Sequence, residues 1–363
     1  MTRVAIVGGG LAGFSAYQTL RRGGLAASEI AVFDEEPDPA AAWARRAAAI
    51  GQTHMRSESD GHCLPASFPG LAVREARRRG SAAPVLRSLA GRYNPTVDEF
   101  LDHVDELRGR SGWDESVRRE RVERIDVDPE LFSVGGVEAP HVLVATGHPG
   151  LNVPEELRAD PRVVHAYEPH GYARDVTVIG AGLAAATEWV NALAAGAEVV
   201  SVRRREPTRR PLNVPRPLFT KRGLAAFHAS AKDARAATLR DLTAPSYPPG
   251  SQWDAPLAAA AREGRFRVEA RVNGSAQVIA ATGFRRGWTN DPLLARLVRE
   301  HDLATHDGWV VLTDDSTVPG LTDERRTLAV AGAAGQWAFP AADTIAGAKY
   351  AARGFLRRAC PTR

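Results

Sequence analysis

The chain has 363 residues, 44% of them hydrophobic and 25% charged, with a formal net charge of +4. That is the balance of a globular protein long enough for two cores, and no run approaches the 18 apolar residues of a membrane-spanning helix. Cys63 and Cys360 form no CxxC pair or metal-binding cluster, which argues against a redox disulfide, a structural zinc or any other metal site. All but three of the 47 basic residues are arginine, acidic residues are spread among them, and no basic face with aromatic platforms marks a nucleic-acid partner.

The chain enters a strand by residue 4, which leaves no room for a secretory leader and predicts a cytoplasmic protein. Val4-Ala5-Ile6-Val7 is a β-branched apolar run that breaks into Gly8-x-Gly10-x-x-Gly13 and continues as a helix through Leu20. In a dinucleotide site Gly8 makes the tight turn, Gly10 admits a pyrophosphate, and Gly13 lets helix and strand pack closely. The diphosphate then rests on free N–H groups at the positive end of the helix. The alternative is an ordinary strand–turn–helix with no ligand. Against it, a second strand, Glu29 to Phe33, ends in Asp34-Glu35, and Asp34 follows Gly13 by 21 positions, where an acid meets ribose hydroxyls. A turn at 36–39 leads to an alanine-rich segment with Trp43. Residues 51–70, including His54-Met55-Arg56-Ser57, read as a long loop of the kind that carries function. Thr96-Val97-Asp98-Glu99 is a capping box opening an amphipathic helix with Phe100, Leu101, Val104 and Leu107 on one side. Short strands follow between Val117 and Val134, then Val142-Leu143-Val144 ending in Ala145-Thr146-Gly147. Residues 151–174 read as a linker.

The opening pattern then recurs 172 residues on. Val176 to Ile179 is a strand, Gly180-x-Gly182-x-x-Ala185 the loop, Leu183 to Ala195 a helix, and Val199 to Val202 the second strand. Here the strand ends in Arg203-Arg204-Arg205 rather than in acids. Arginines at this place neutralise a 2′-phosphate, whereas a carboxylate repels it; the alternative is a solvated basic turn. The opposite charges predict an unphosphorylated ribose in the first unit and NADPH in the second. Residues 206–265 read as a connector or lid over the second unit. A second Ala281-Thr282-Gly283-Phe284 ends the strand from Gln277, strands at 310–312 and 328–331 lead into Gly332-Ala333, and a helix spans Asp343 to Arg357. His62, His103, His228 and His301 show no ligand spacing.

These parts together resemble the two-dinucleotide-fold flavoproteins, and among them the NADPH-dependent flavin monooxygenases of the flavin-containing and N-hydroxylating type. The resemblance rests on both glycine loops, the acidic and basic strand ends, the helix from Thr96 and the two Ala-Thr-Gly turns, and it covers nearly the whole chain, with 206–265 the least matched. It implies an α/β fold of two Rossmann-like three-layer domains, the second inserted into the first. Residues 1–165 and 285–363 would bind FAD and 166–284 NADPH. Carried over, Gly8, Gly10 and Gly13 hold the FAD diphosphate, Asp34 or Glu35 its ribose, and the backbone at Val122 meets the adenine. Thr146, Gly147, Thr282, Gly283 and Gly332 line the cofactor path, and Gly180, Gly182 and Arg203–Arg205 hold NADPH. Trp43 and His54-Met55-Arg56 pass the isoalloxazine, making His54 and Arg56 the candidates for flavin or substrate contacts; the alternative is that they brace the loop.

The sequence departs from that group in three places. Gly332 is followed by Ala333 where an Asp for the ribityl chain usually stands. The Phe-x-Gly-x-x-x-His fingerprint of Baeyer–Villiger enzymes is incomplete, and the Asp that precedes the second Ala-Thr-Gly in ornithine and lysine hydroxylases is replaced by Ala276. The resemblance implies that NADPH reduces FAD, that O₂ then forms a C4a-(hydro)peroxyflavin, and that this oxygenates a small molecule, with amine N-hydroxylation favoured. The cofactor carries the chemistry, in keeping with the lack of a Ser-His-Asp or paired-carboxylate constellation. One alternative is an NADPH-dependent flavin reductase serving a protein, quinone or small acceptor; a second is a non-catalytic NADP(H)-binding protein. A homo-oligomer is compatible with the sequence.

Overall fold

A computed structural model describes residues 2–55, 70–90, 93–210, 214–272 and 274–360. Two five-stranded parallel sheets organise them. The first runs in the order Thr327–Val330, His141–Val144, Val4–Val7, Ile30–Phe33, Val117–Arg118. Val4–Val7 and Ile30–Phe33 are buried along their whole length, as the unbroken apolar runs require of strands covered on both faces. The second sheet runs Phe266–Glu269, Glu198–Val202, Asp175–Ile179, Gln277–Ala280, Val163–His165. Because Thr327–Val330 returns to the first sheet after the second is complete, the second unit is inserted into the first, and the fold is the doubled Rossmann type.

The passage between the sheets runs through the segment 151–174. The segment read as a linker contains Val163–His165, which pairs in parallel with Gln277–Ala280 at the edge of the second sheet. Pairing there satisfies part of its backbone, while Val163 N donates to Asp160 O (3.0 Å) and His165 N to Glu168 Oε2 (2.9 Å). The two crossings lie side by side. Asn152 N donates to Gly283 O (2.9 Å) and Arg285 N to Gly150 O (2.9 Å), so the chain leaves and re-enters the first unit along one antiparallel seam.

The helix Leu11–Arg22 lies on the first sheet with Phe14, Tyr17 and Leu20 fully buried. Trp113 meets Phe14 and Tyr17 edge-on at 4.9 and 5.0 Å and donates to Pro37 O at 2.9 Å, the geometry in which a buried indole keeps its N–H paired. The capping box is present. Thr96 Oγ1 accepts from Glu99 N (3.1 Å) and Glu99 Oε2 from Thr96 N (2.9 Å), opening the helix Val97–Ser111. The C-terminal helix begins at Ile345, two residues after the expected Asp343, because Thr344 caps it through Gly347 N.

Residues 206–265 are not a lid over the second unit alone. The helices Lys221–Ala229 and Lys232–Leu242 bury Phe227, Ala236 and Leu239 in the same core as Val142, Leu328 and Trp337 of the first unit. His228 Nε2 donates to Ala338 O at 2.6 Å. The helix Ser251–Arg262 instead packs against Leu183–Ala194, with Ala260 in the core of the second sheet. The segment therefore bridges the two units. Among the described residues no helix is long and apolar enough to cross a membrane, and no cluster of three or more His, Cys, Asp or Glu is placed to hold a metal.

Candidate active site

Both glycine loops leave the carboxyl edge of their sheet in the same way. Gly8 N donates to Phe33 O (2.9 Å) and Gly180 N to Val202 O (3.0 Å), while Ala145 N and Ala281 N donate to Val7 O and Ile179 O (2.7 and 2.8 Å). Gly8 and Gly180 have φ of +102° and +134°, and a Cβ on either would lie 2.4 Å from the carbonyl oxygen of Ala145 or Ala281. A Cβ on Gly13 would lie 1.9 Å from Gly8 O. Gly10 is different, because a Cβ there would meet nothing within 4 Å, and at Gly182 only Ser246 O at 4.0 Å. The open space lies in front of helices that start at Leu11 and Leu183 with no side-chain cap and no acid in the first turn. Free N–H groups and the helix dipole thus face it unopposed, which is the chemistry a diphosphate needs.

The strand ends carry the opposite charges. Asp34 Oδ2 accepts from Gly9 N at 2.6 Å and Oδ1 from Glu36 N at 2.9 Å, so this carboxylate shapes the first loop. Glu35 is exposed, 3.8 Å from Arg121. Val122 lies in the loop after the edge strand Val117–Arg118, whose Arg118 O accepts from Asp34 N. In the second unit Arg203 is 15% exposed and pairs with Glu206 at 3.0 Å. Arg204 is 90% exposed, 3.5 Å from Glu156, and Arg205 is exposed.

Along the first sheet's carboxyl edge the order Asp34, Gly10, Gly147, Gly332 leads to a small cleft of about 30 Å³. It is walled by His148, Trp288, Leu294, Trp309, Val310 and Gln336, with Arg285 and Arg286 at its side. Gly332, at φ +72°, packs beside Gly147 and Ala12. Thr146 Oγ1 donates to Asp291 Oδ2 at 2.6 Å, and Asp291 Oδ1 caps the helix Pro292–Glu300 through Leu293 N and Leu294 N. Behind the cleft, Phe284 stacks with His148 (4.2 Å) and with Tyr167 (5.1 Å), and Arg46 lies over its ring at 4.9 Å. Burial, reinforced by Arg286 and Arg46, pushes His148 down to about 4, so its imidazole is neutral at neutral pH. His165 Nδ1 accepts from Tyr167 N, which leaves Nε2 to donate to Gly283 O at 3.0 Å. Asp343 is exposed; desolvation holds its carboxyl above the usual range, with Arg286 working the other way.

A family model described as pyridine nucleotide-disulphide oxidoreductase matches residues 2–214. The chain belongs to that family. It is accordingly an FAD- and pyridine-nucleotide-dependent oxidoreductase. Comparison with curated proteins returns no match. Among solved structures it is similar to the ornithine hydroxylase PvdA of Pseudomonas aeruginosa, at 18% identity over 98% of this chain and 99% of that one, with a TM-score of 0.73. It is also similar to the Kutzneria sp. 744 ornithine N-hydroxylase KtzI, in a state described with reduced FAD, NADP⁺ and L-ornithine, at 16% identity, coverage of 99% and 100%, and a TM-score of 0.74. The bacillithiol disulfide reductase Bdr of Bacillus cereus gives 18% identity, coverage of 98% and 99%, and a TM-score of 0.59. At these identities the likeness is one of fold.

For a pyridine nucleotide-disulphide oxidoreductase, the open cradle at Gly10, the uncapped helix and Asp34 fit the diphosphate and ribose of FAD. The residues expected beside the flavin are less uniform. Met55 is buried, held by Pro95 O and Asn94 Nδ2, and Trp43 is half-buried, edge-on to Phe100 at 5.1 Å. Both serve the core of the first unit. His54 is exposed and bonds Thr53 Oγ1 at 3.1 Å, and Arg56 lies outside the described residues. Thr282 Oγ1 donates to Asn152 O across the seam, so its hydroxyl joins the two crossings. His148, Arg286, Asp291 and Asp343 were not singled out from sequence. Asp291-Pro292 is legible there only as a helix start, and nothing local says that its second oxygen reaches Thr146.

Proposed function

We propose that the protein is an NADPH-dependent FAD monooxygenase that oxygenates a small molecule, with an amine nitrogen as the favoured target. The observation that carries this reading is the place of its thiols. A dithiol relay needs two cysteines at the flavin, and the chain has two in all. Cys360 ends the last helix near Arg3 and Glu29, at the amino edge of the first sheet, opposite the edge that bears Gly8 and Asp34. With Cys63 alone left, electrons have no protein disulfide to go to.

When bound, FAD supplies hydride acceptance and reaction with O₂. The chain's own residues supply position and seclusion. Gly8–Gly13 and Asp34 fix one nucleotide, and Gly180, Gly182 and Arg203 fix NADPH on the other unit. The apolar walls Trp288, Leu294, Trp309 and Val310 limit water in the cleft. His148 is neutral there, so the positive charge at the cleft is that of Arg285 and Arg286. The family's reductase members support a second reading, transfer of electrons to a protein, quinone or small acceptor. Rapid mixing of reduced, NADP⁺-bound protein with O₂ separates the two. A transient absorbance distinct from oxidised and reduced flavin, lasting seconds, is expected. Direct return of oxidised flavin with stoichiometric H₂O₂ would overturn the monooxygenase reading.

A further inference from the structure

We propose that Glu206 is a built-in counter-ion that holds Arg203 in place of the coenzyme's 2′-phosphate, and so sets the preference between phosphorylated and unphosphorylated nicotinamide dinucleotides. The inference rests on the reading of the second unit as an NADPH site.

Arg203 is the structural counterpart of Asp34. Each is the first residue after the strand whose last carbonyl accepts from the first loop glycine, Phe33 O from Gly8 N and Val202 O from Gly180 N. Asp34 turns back to its own loop through Gly9 N. Arg203 cannot do so, because it has no acceptor to offer an N–H. Its guanidinium instead lies over the indole of Trp189, 5.8 Å from the ring centroid, on the helix that starts at Leu183. This contact leaves the side chain only 15% exposed and fixes the plane of its fork.

The fork is incompletely filled. Glu206 Oε1 takes Nη2 at 3.0 Å, while Nε is buried and has no hydrogen-bond partner among the described residues. A guanidinium has five donors, and at its exposed end Nη2 faces, among the described residues, the exposed Glu206 carboxylate alone, so the fork keeps donors for an anion with more than one oxygen. A phosphate provides three. Glu206 is 78% exposed, and an exposed ion pair contributes little, so it gives way readily. Its charge nevertheless competes with, and repels, the arriving dianion. Arg204 and Arg205, extended into solvent, add a general positive field. The discriminating contact therefore belongs to Arg203, and Glu206 tunes it.

The test is titration of the oxidised, FAD-loaded protein with NADP⁺ and with NAD⁺, followed by flavin absorbance at low salt and at about 0.5 M salt. Glu206→Gln should tighten NADP⁺ about three- to tenfold and leave NAD⁺ unchanged, with the gain shrinking at high salt. Arg203→Gln should weaken NADP⁺ about ten- to a hundredfold, and Glu206→Gln should then have no further effect. If Glu206→Gln leaves NADP⁺ binding unchanged or weakens it while Arg203→Gln still loses NADP⁺ selectively, the counter-ion role is wrong and the NADPH site stands. If Arg203→Gln weakens NADP⁺ and NAD⁺ equally, the assignment of NADPH to this unit falls, and the role of Glu206 with it. Glu206 is exposed, so its variant is expected to unfold at the parent temperature.

Discussion

Gly10 and Gly13 stand three residues apart in one motif, yet the structure predicts that alanine at each fails for a different reason. Gly10 has φ −63° and ψ −174°, a conformation open to any residue, and a Cβ there meets nothing within 4 Å. Losing glycine at an N-cap costs about 0.5–1 kcal/mol, and the stiffer unfolded chain returns about 0.4–1 kcal/mol. The net change in stability of Gly10→Ala is therefore within about 1 kcal/mol. The added methyl instead fills the space into which the diphosphate must come. Pushing the phosphate back by a methyl radius loses at least one charged hydrogen bond, about 1.5–3 kcal/mol, or a weakening of FAD binding by about ten- to 150-fold. At Gly13 the Cβ would fall 1.9 Å from Gly8 O, inside the protein, and helix and strand must part to admit it. That overpacking costs about 3 kcal/mol or more. Urea denaturation of the two apoproteins and fluorescence titration with FAD separate the effects. The reasoning is refuted if Gly10→Ala binds FAD as tightly as the parent, or loses as much stability as Gly13→Ala.

The second loop repeats the argument with another readout: Gly182→Ala, facing only Ser246 O at 4.0 Å, should weaken NADPH by a similar factor and leave the bound FAD content unchanged. Loss of both together would show that the two cradles are not independent. Stability should also fall in mild acid. Burial is the main cause that pushes His103, His141 and His148 down to about 4, against about 6.5 for an unfolded histidine. Between these values the unfolded chain binds protons that the folded chain refuses, so stability rises with pH over that window and is complete above about pH 6.5. Three such groups give a slope of up to about 4 kcal/mol per pH unit. Urea midpoints at pH 7.5, 6 and 5 measure it, and a flat profile would show that these histidines are not desolvated in the fold.

Much of the architecture is local enough to be read from residue order. A glycine at a strand end, a Thr-x-x-Glu before an apolar stripe, and an acid or arginine at the end of the next strand each act through neighbours within a few positions. The loops, the helix from Val97 and the opposite charges of Asp34 and Arg203 therefore emerge directly. The strand Val163–His165 does not, because a three-residue run becomes a strand only when the edge of Gln277–Ala280 is there to pair it. Residues 206–265 misled for a related reason. Their helices are amphipathic in sequence, but the pattern does not say which core receives Phe227 and Leu239.

The candidate site divides along the same line. Sequence alone determined two glycine loops between strand and helix and the sign of the charge beside each, since backbone conformation and helix ends are set by nearby residues. Tertiary structure decided what surrounds them. Asp291 reaches Thr146 across 145 residues, His148, Phe284 and Tyr167 stack where two crossings meet, and Cys360 is carried to the amino edge of the first sheet, opposite its glycine loop. It also showed that Arg203, alone of the three arginines, is held against an indole. Such contacts join segments distant in the chain, and only the packing of both sheets brings them within bonding distance.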